Sequence, residues 1–454
     1  MKLKHLSLAV MTMGATVGLA GGAHASGYHF GTQSVSAQGT ANASSAEAAD
    51  ASTIFYNAAG MTHLKGSNFS GVVDLVKPDV KYSNAKGSYP NGAAISGESS
   101  GKLSKDLIAV PHLYLTHQIN DRVVAGLGVY VPYASDTEYQ RNSVLRYNVN
   151  QTGLKTVDIN PTVAFKLNNQ HSLAAGVIAQ YAKATMRQYA NFGAFPGGGG
   201  NGANDGYADV DVDSWGYGYN LAWMWDATDS TRIGLNYRSK IKHNLSGTAK
   251  WTKSAAYSAL PNALGYKDSE GAKVDIETPE SLSLQGMQKL NPKWNLFGDV
   301  TWTRHSRFDT VVVEYENTKT VAGGTSNKTI LVPNWKNTYK VSVGASYQYS
   351  DPLQLRFGVA YDQSPVPDAN HRLTTLPDND RIWLSLGGKY DLSKQSSINL
   401  AYSYIHIKDA HANVNGYCGG ATAASVACVS SKTNGSADYR SHAQILGVQF
   451  NYKF

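Results

Sequence analysis

From residue 66 to the C-terminus, large apolar residues alternate with small or polar ones. The last segment is the clearest. Leu446, Val448, Phe450, Tyr452 and Phe454 fall on one face, while Gly447, Gln449, Asn451 and Lys453 fall on the other. Tyr339, Val341, Val343, Ala345 and Tyr347 likewise oppose Lys340, Ser342, Gly344, Ser346 and Gln348. Trp215, Tyr217, Tyr219, Leu221, Trp223 and Trp225 oppose Gly216, Gly218, Asn220, Ala222 and Met224. Successive side chains of a strand point to opposite faces, so this alternation predicts strands between two different environments.

The connections are as informative as the strands. Short ones fall at Asn120-Asp121, Asn168–Gln170, Thr228–Ser230, Asn291-Pro292, Asp351-Pro352 and Leu392–Lys394. Between them lie long stretches rich in Gly, Ser, Asn or Pro, near 83–103, 134–152, 191–208, 249–272, 316–333, 365–378 and 411–436. Long and short alternate throughout, which divides the chain into fourteen strands. Short turns at one end, long loops at the other and an even strand count predict an all-β, fourteen-stranded antiparallel transmembrane β-barrel. A soluble sandwich would not need every outward face to be aromatic or aliphatic, and no blade repeat points to a propeller.

The head of the chain departs from this pattern. Lys2, Lys4 and His5 precede an uncharged apolar run, Leu6–Ala20, and an A-x-A site before Ser26. That order predicts a secretory signal peptide over 1–25. Residues 26–65 are Ala-rich and too weakly patterned to add a strand, and IFYNAAGM is too apolar to prefer water. Fourteen strands enclose a lumen wide enough to need filling. The segment is therefore expected to fold into it as a helical plug, with residues 66–454 forming the barrel.

Composition agrees with an exported strand protein. Tyr is 28, Gly is 44, and charged residues are only 16%, against about 25% in ordinary soluble domains. The net charge of +7 shows no Lys/Arg cluster, which gives no footprint for nucleic acid. Cys418 and Cys428 are expected to form a local disulfide in an oxidising compartment. No cofactor is implied. The inward faces read as small and neutral, favouring an apolar or mixed path over an ion-selective pore. Of the histidines, His112, His117, His305 and His406 fall on strands without a Ser/Asp set that would support a barrel lipase.

The chain resembles the long-chain fatty acid transporter (FadL) family, which includes an aromatic-hydrocarbon branch. GLKTVDINPTVAFKLNNQHSLAAGV, YAKATMR, ETPESLSLQGMQKLNPKWNLFGDVTWT and NWKNTYKVSVGASY look like family segments in order, as does VAYDQSPVPDANHRLTTLPDNDRIWLSLGGKY. FYNAAG stands where the family has an Asn-Pro-Ala motif in its N-terminal hatch. Asn57, Ala59 and Gly60 keep that pattern and Ala58 departs from it.

The resemblance implies passive uptake of long-chain fatty acids or similar hydrophobic compounds across the bacterial outer membrane. Aromatic hydrocarbons are the alternative cargo, and a general porin is a weaker one. It implies an outer groove, an inner pocket, hatch movement, and lateral exit beside an inward-kinked third strand, Arg122–Tyr133, where Gly126 and Gly128 would permit the kink. Arg187 and Lys336 match the family's pocket cations for a carboxylate, and Tyr28 matches an aromatic residue that reaches the pocket. By parity Lys336 faces inward with Lys340, whereas Arg187 faces outward and needs a bulge or a strand end above the membrane. Expected partners are outer-membrane lipid, lipopolysaccharide and the barrel-assembly machinery, which would read the terminal Phe454. A monomer is expected.

Overall fold

The computed structural model describes residues 28–89, 91–200, 202–321, 324–416 and 433–454. The leader at 1–25 and the pair Cys418 and Cys428 lie outside the described residues. Fourteen strands form the wall. They are β1 (Ser67–Ser88), β2 (Gly101–Lys102, Ile108–Gln118), β3 (Val123–Tyr130, Ala134–Glu138), β4 (Gln151–Lys166), β5 (His171–Ala190), β6 (Gly206–Asp226) and β7 (Thr231–Arg238, Ile241–Thr252). Then follow β8 (Ser269–Thr278, Ser281–Lys289), β9 (Trp294–Thr303, Val311–Val321), β10 (Gly324–Leu331, Thr338–Ser350), β11 (Leu353–Asp362), β12 (Arg381–Asp391), β13 (Ser396–Val414) and β14 (Asn434–Lys453).

Each strand pairs antiparallel with the next, and β14 closes on β1 from Asn68↔Lys453 to Ser88↔Asn434. Closure joins the first strand to the last, as a bilayer requires because lipid cannot satisfy backbone N–H and C=O groups. Three of the short turns share one chemistry. Asn120 Oδ1 accepts from the N–H of Arg122 and Val123, Asn168 from Gln170 and His171, and Asn291 from Lys293 and Trp294, all at 2.8–3.0 Å. One expectation fails at the other end. The stretch 316–333 is not a loop, because β9 runs on to Val321 and β10 returns from Gly324 as a hairpin. Its Ser, Thr, Asn and Gly content resembles a loop, yet ladder pairing outweighs propensity once the partner strand is fixed.

Alternation places the faces as expected. Trp215, Tyr217, Tyr219 and Leu221 are exposed outside the barrel, Tyr217 at 75%, while Met224 and Ile178 are buried inside. At the short-turn end His171, Trp223 and Trp225 lie side by side with near-parallel rings, His171 being 5.9 Å from each indole, consistent with an interfacial aromatic girdle.

Residues 28–66 run inside the barrel. Little of this is helix: only Val35–Gln38 and Thr53–Tyr56 are α-helical, followed by a 3-10 turn Ala58–His63. The rest is turns held by the wall. Gln449 Oε1 accepts from Val35 N–H (2.8 Å), Gln38 donates to the Ile445 carbonyl (3.0 Å), and Tyr114 donates to the Gln33 carbonyl (2.9 Å).

The lumen is also more charged than the sequence pattern implied. Arg356 from β11 takes Glu47 in a two-pronged pair at 2.7 and 3.1 Å, and Arg232 from β7 donates to the carbonyls of Ala46 and Glu47 at 3.1 and 2.8 Å. These inward charges are matched by groups on the plug, which strand parity cannot reveal.

Gly358 lets the plug lie flat on β11. A Cβ there would fall on the Thr40 backbone. Gly358→Ala is expected to displace the plug and destabilise the protein by about 1–3 kcal/mol, read as a lowered thermal midpoint and faster proteolysis within residues 36–44.

Candidate functional site

Asn57 fixes the middle of the plug. Its carbonyl caps the 3-10 turn by accepting from Ala59 N–H at 3.2 Å, and its amide donates to Gln285 at 2.9 Å and to the Trp223 carbonyl at 3.1 Å. Gln285 answers by donating to the Tyr56 carbonyl at 2.8 Å. Ala58 is the first residue of that turn, a position where proline is tolerated but not needed. Gly60 is there for space, since a Cβ would meet Thr53 Oγ1 at 2.6 Å and Ala48 Cβ at 2.7 Å.

Above the plug lies an apolar cavity of about 740 Å³, lined by Tyr28, Leu154, Met186, Val210, Val212, Val274, Ile276, Phe308, Val311, Val313, Leu331, Leu373 and Leu376, with a few Ser, Thr, Ala and Gly. Among the described residues, no charged one lines it. The same apolar cluster continues through Phe192, Trp251, Tyr266 and Tyr315 to a larger groove of about 1350 Å³ among the long loops. One packed apolar cluster thus supplies lining residues to both the groove and the cavity, which remain separate pockets. Within the groove Lys319 lies 4.3 Å from the Tyr315 ring and is paired to Glu270 at 2.6 Å.

Tyr28 is the floor of the cavity. Its ring stacks on Trp335 (5.3 Å) and meets Tyr133 (5.6 Å) and Phe308 (5.4 Å) edge-on. Beyond this aromatic layer is a polar chamber of about 870 Å³, lined among others by His29, Arg238, Asp299, His305, Lys340 and Asp362. Arg238 is committed to Asp158 (3.0 Å) and the Tyr130 hydroxyl (2.7 Å), and Lys340 sits 4.3 Å over the Trp383 ring. Burial, with the Lys340 charge adding to it, pushes the His29 imidazole down to about 3, so it stays neutral at physiological pH.

The third strand does turn inward, although not at its glycines. Gly126 and Gly128 sit in an unbroken ladder with β2 and β4. Their missing side chains admit the plug: a Cβ at Gly126 would meet Met61 Sδ at 2.5 Å, and at Gly128 Ile54 at 3.2 Å. The break comes after Tyr130. Proline at 132 has no N–H for a ladder, and Val131 N–H donates instead to His112 Nδ1 at 3.3 Å. His112 Nε2 lies 3.3 Å from buried Asp74, so this pair orients the turn. Residues 28–30 occupy the vacated edge, with Phe30 N–H donating to the Pro132 carbonyl and Ala134 N–H to the Tyr28 carbonyl at 2.8 and 2.9 Å. The β2 edge is regained where Glu138 N–H meets the Leu103 carbonyl at 3.0 Å.

Of the expected pocket residues, only Tyr28 lines the cavity. Arg187 lies on the outer face, as its parity required, bound to Asp209 (2.6 Å) and Glu138 (2.7 Å). Lys336 is exposed and does not follow Lys340 inward, because β10 resumes only at Thr338 and parity does not carry across the preceding break. The sequence reading missed Val210, Val212, Val274 and Val313. Their signal was present: in 209–213 the odd positions become Asp and the even ones apolar, a reversal of phase relative to Trp215–Leu221.

The family model for outer membrane protein transport proteins (OMPP1/FadL/TodX) matches residues 16–454. A Neisseria meningitidis serogroup B protein whose name places it in the outer membrane is 47% identical, over 99% of each chain. The long-chain fatty acid transport protein of Escherichia coli K12 is 26% identical over 94% of each. A crystal structure of a Pseudomonas aeruginosa FadL homologue superposes with a TM-score of 0.82 at 24% identity, covering 94% of this chain and all of that one. With the closed barrel and the plug beneath an apolar cavity, these findings establish that the chain is an outer-membrane β-barrel belonging to the OMPP1/FadL/TodX family of outer membrane protein transport proteins.

Proposed function

We propose that this protein takes up hydrophobic compounds, with long-chain fatty acids as cargo, by passive capture and sideways release into the membrane. The observation that carries this reading is the apolar cavity above Tyr28, with a single packed apolar cluster linking its lining to that of the loop groove. Each buried methylene contributes about 0.8 kcal/mol, so a long acyl chain is held by length alone. Leaving sideways through the β2–β3 gap would spare that chain a crossing of water, once residues 28–30 yield the edge of β3.

A second reading, uptake of neutral aromatic hydrocarbons, is favoured by one observation: no cation lines the cavity. Binding of oleate against oleyl alcohol separates the two, since only a recognised carboxylate would make oleate the tighter ligand. Alanine at both Arg187 and Lys336 is expected to leave oleate binding within about twofold of wild type, because surface charges this far from a ligand contribute little. A loss of tenfold or more, measured by fluorescence displacement, would return both cations to the site.

A further inference from the structure

The cavity meets a second interruption of the wall, between β8 and β9. Above it the two strands pair at Ala272↔Tyr315, Lys273↔Glu314 and Val274↔Val313. Below it the ladder runs from Ser281↔Thr303 to Lys289↔Asn295. Between these points, residues 275–280 of β8 and 304–312 of β9 have no ladder pairing with each other. Ile276, Phe308 and Val311, which border this stretch, also line the apolar cavity. Immediately below, Leu282 and Leu284 are exposed on the outer face.

Side chains close the opening in place of the backbone. Glu280 accepts from Arg307 at 2.8 and 3.0 Å and from Arg304 at 3.2 Å. Arg307 also lies 3.5 Å from Glu277, which is paired with Lys240 at 3.0 Å. Arg304 N–H also donates to the Glu280 carbonyl at 3.0 Å. A cooperative ladder opens only by breaking many hydrogen bonds together, whereas this closure rests on buried Glu280 and two arginines that are 45% and 25% exposed, within reach of water and salt. The wall is therefore most easily parted where it borders the cavity.

We propose that this stretch is a second lateral window, through which neutral apolar molecules dissolved in the outer leaflet exchange directly with the cavity, and that Glu280 with Arg304 and Arg307 is its latch. The window rests on the reading of the cavity as the ligand site. It differs from the β2–β3 gap in what shuts it, since side-chain charges close one and the N-terminal residues 28–30 the other.

The test uses the full chain in lipid nanodiscs and N-phenyl-1-naphthylamine, a neutral probe that brightens in apolar surroundings. Stopped-flow exchange is measured together with equilibrium affinity. Glu280→Gln should speed exchange about threefold to tenfold, the size of effect expected on weakening such ion pairs. Affinity should stay within twofold, because opening the window changes entry and exit alike. The closing variant combines Ile276→Cys with Val311→Cys, positions that would face each other if the ladder ran on from Val274 and Val313. Its oxidation should slow exchange and reductant restore it, with no such response in wild type. Unchanged exchange in a folded Glu280→Gln variant, or in the oxidised double variant, overturns the window. Failure of wild type to bind the probe would instead overturn the cavity reading.

Discussion

Val212→Asp is expected to reduce the affinity for oleate or a neutral apolar probe about a hundredfold or more at neutral pH. Val212 lies on the inner face of β6, opposite Ala184, and lines the apolar cavity. A carboxylate there is hydrated when the cavity is empty and loses that water when an apolar ligand fills it, with no cation among the lining residues to compensate. Desolvation should raise the pKa of this new group, so affinity should recover as pH falls and the neutral acid forms. Val212→Asn, which does not titrate, should show a smaller loss and no such recovery. Equal affinities for Asp and wild type at neutral pH would remove the cavity from the transport path.

Arg356→Ala is expected to loosen the plug. Arg356 is 2% exposed, holds Glu47 by two prongs and also donates to the Ser36 carbonyl at 3.1 Å. Removing it leaves Glu47 without its partner inside the barrel, at a cost of about 3–5 kcal/mol. Arg232 cannot replace it, being already committed to Asp226 at 2.7 Å and to the carbonyls of Ala46 and Glu47. The expected result is a lower thermal midpoint and a rise in ion conductance in planar bilayers. Arg356→Lys should restore only part of both, because an ammonium cannot reproduce the forked pair. If conductance and midpoint both match wild type, the Glu47 pair is not what holds the plug.

Much of the wall was legible because a strand in a bilayer barrel answers to two environments with a period of two. Tyr339, Val341 and Val343 outward against Ser342 and Ser346 inward needed no tertiary information. The turns were legible because Asn120, Asn168 and Asn291 bond locally to the backbone two and three residues on. Parity failed where strands break. Lys336 was carried inward across a break that ends at Thr338, whereas Arg187, on an unbroken strand, was placed outward correctly.

The site itself depended on contacts between segments distant in sequence. Beyond the bilayer, the outer face of β6 meets water and the inner face lines the apolar cavity, so Asp209, Asp211 and Asp213 replace the outward aromatics while Val210 and Val212 turn inward. A reading that assumes one apolar face per strand assigns those valines no role. Gly126 and Gly128 invited a kink by local reasoning, yet their use is to receive Ile54 and Met61 from a plug that the strand cannot announce.

Alternation and turn chemistry are local and repeat along the chain, so a barrel with a non-strand head is legible from the residues alone. What the head does emerges from contacts made in the folded chain. Glu47 meets Arg356, Asn57 meets Gln285, Tyr28 meets Trp335, and residues 28–30 take the edge that β3 leaves open. Each of these joins groups more than a hundred positions apart, where no periodicity reaches and only closure of the barrel around the plug brings them together.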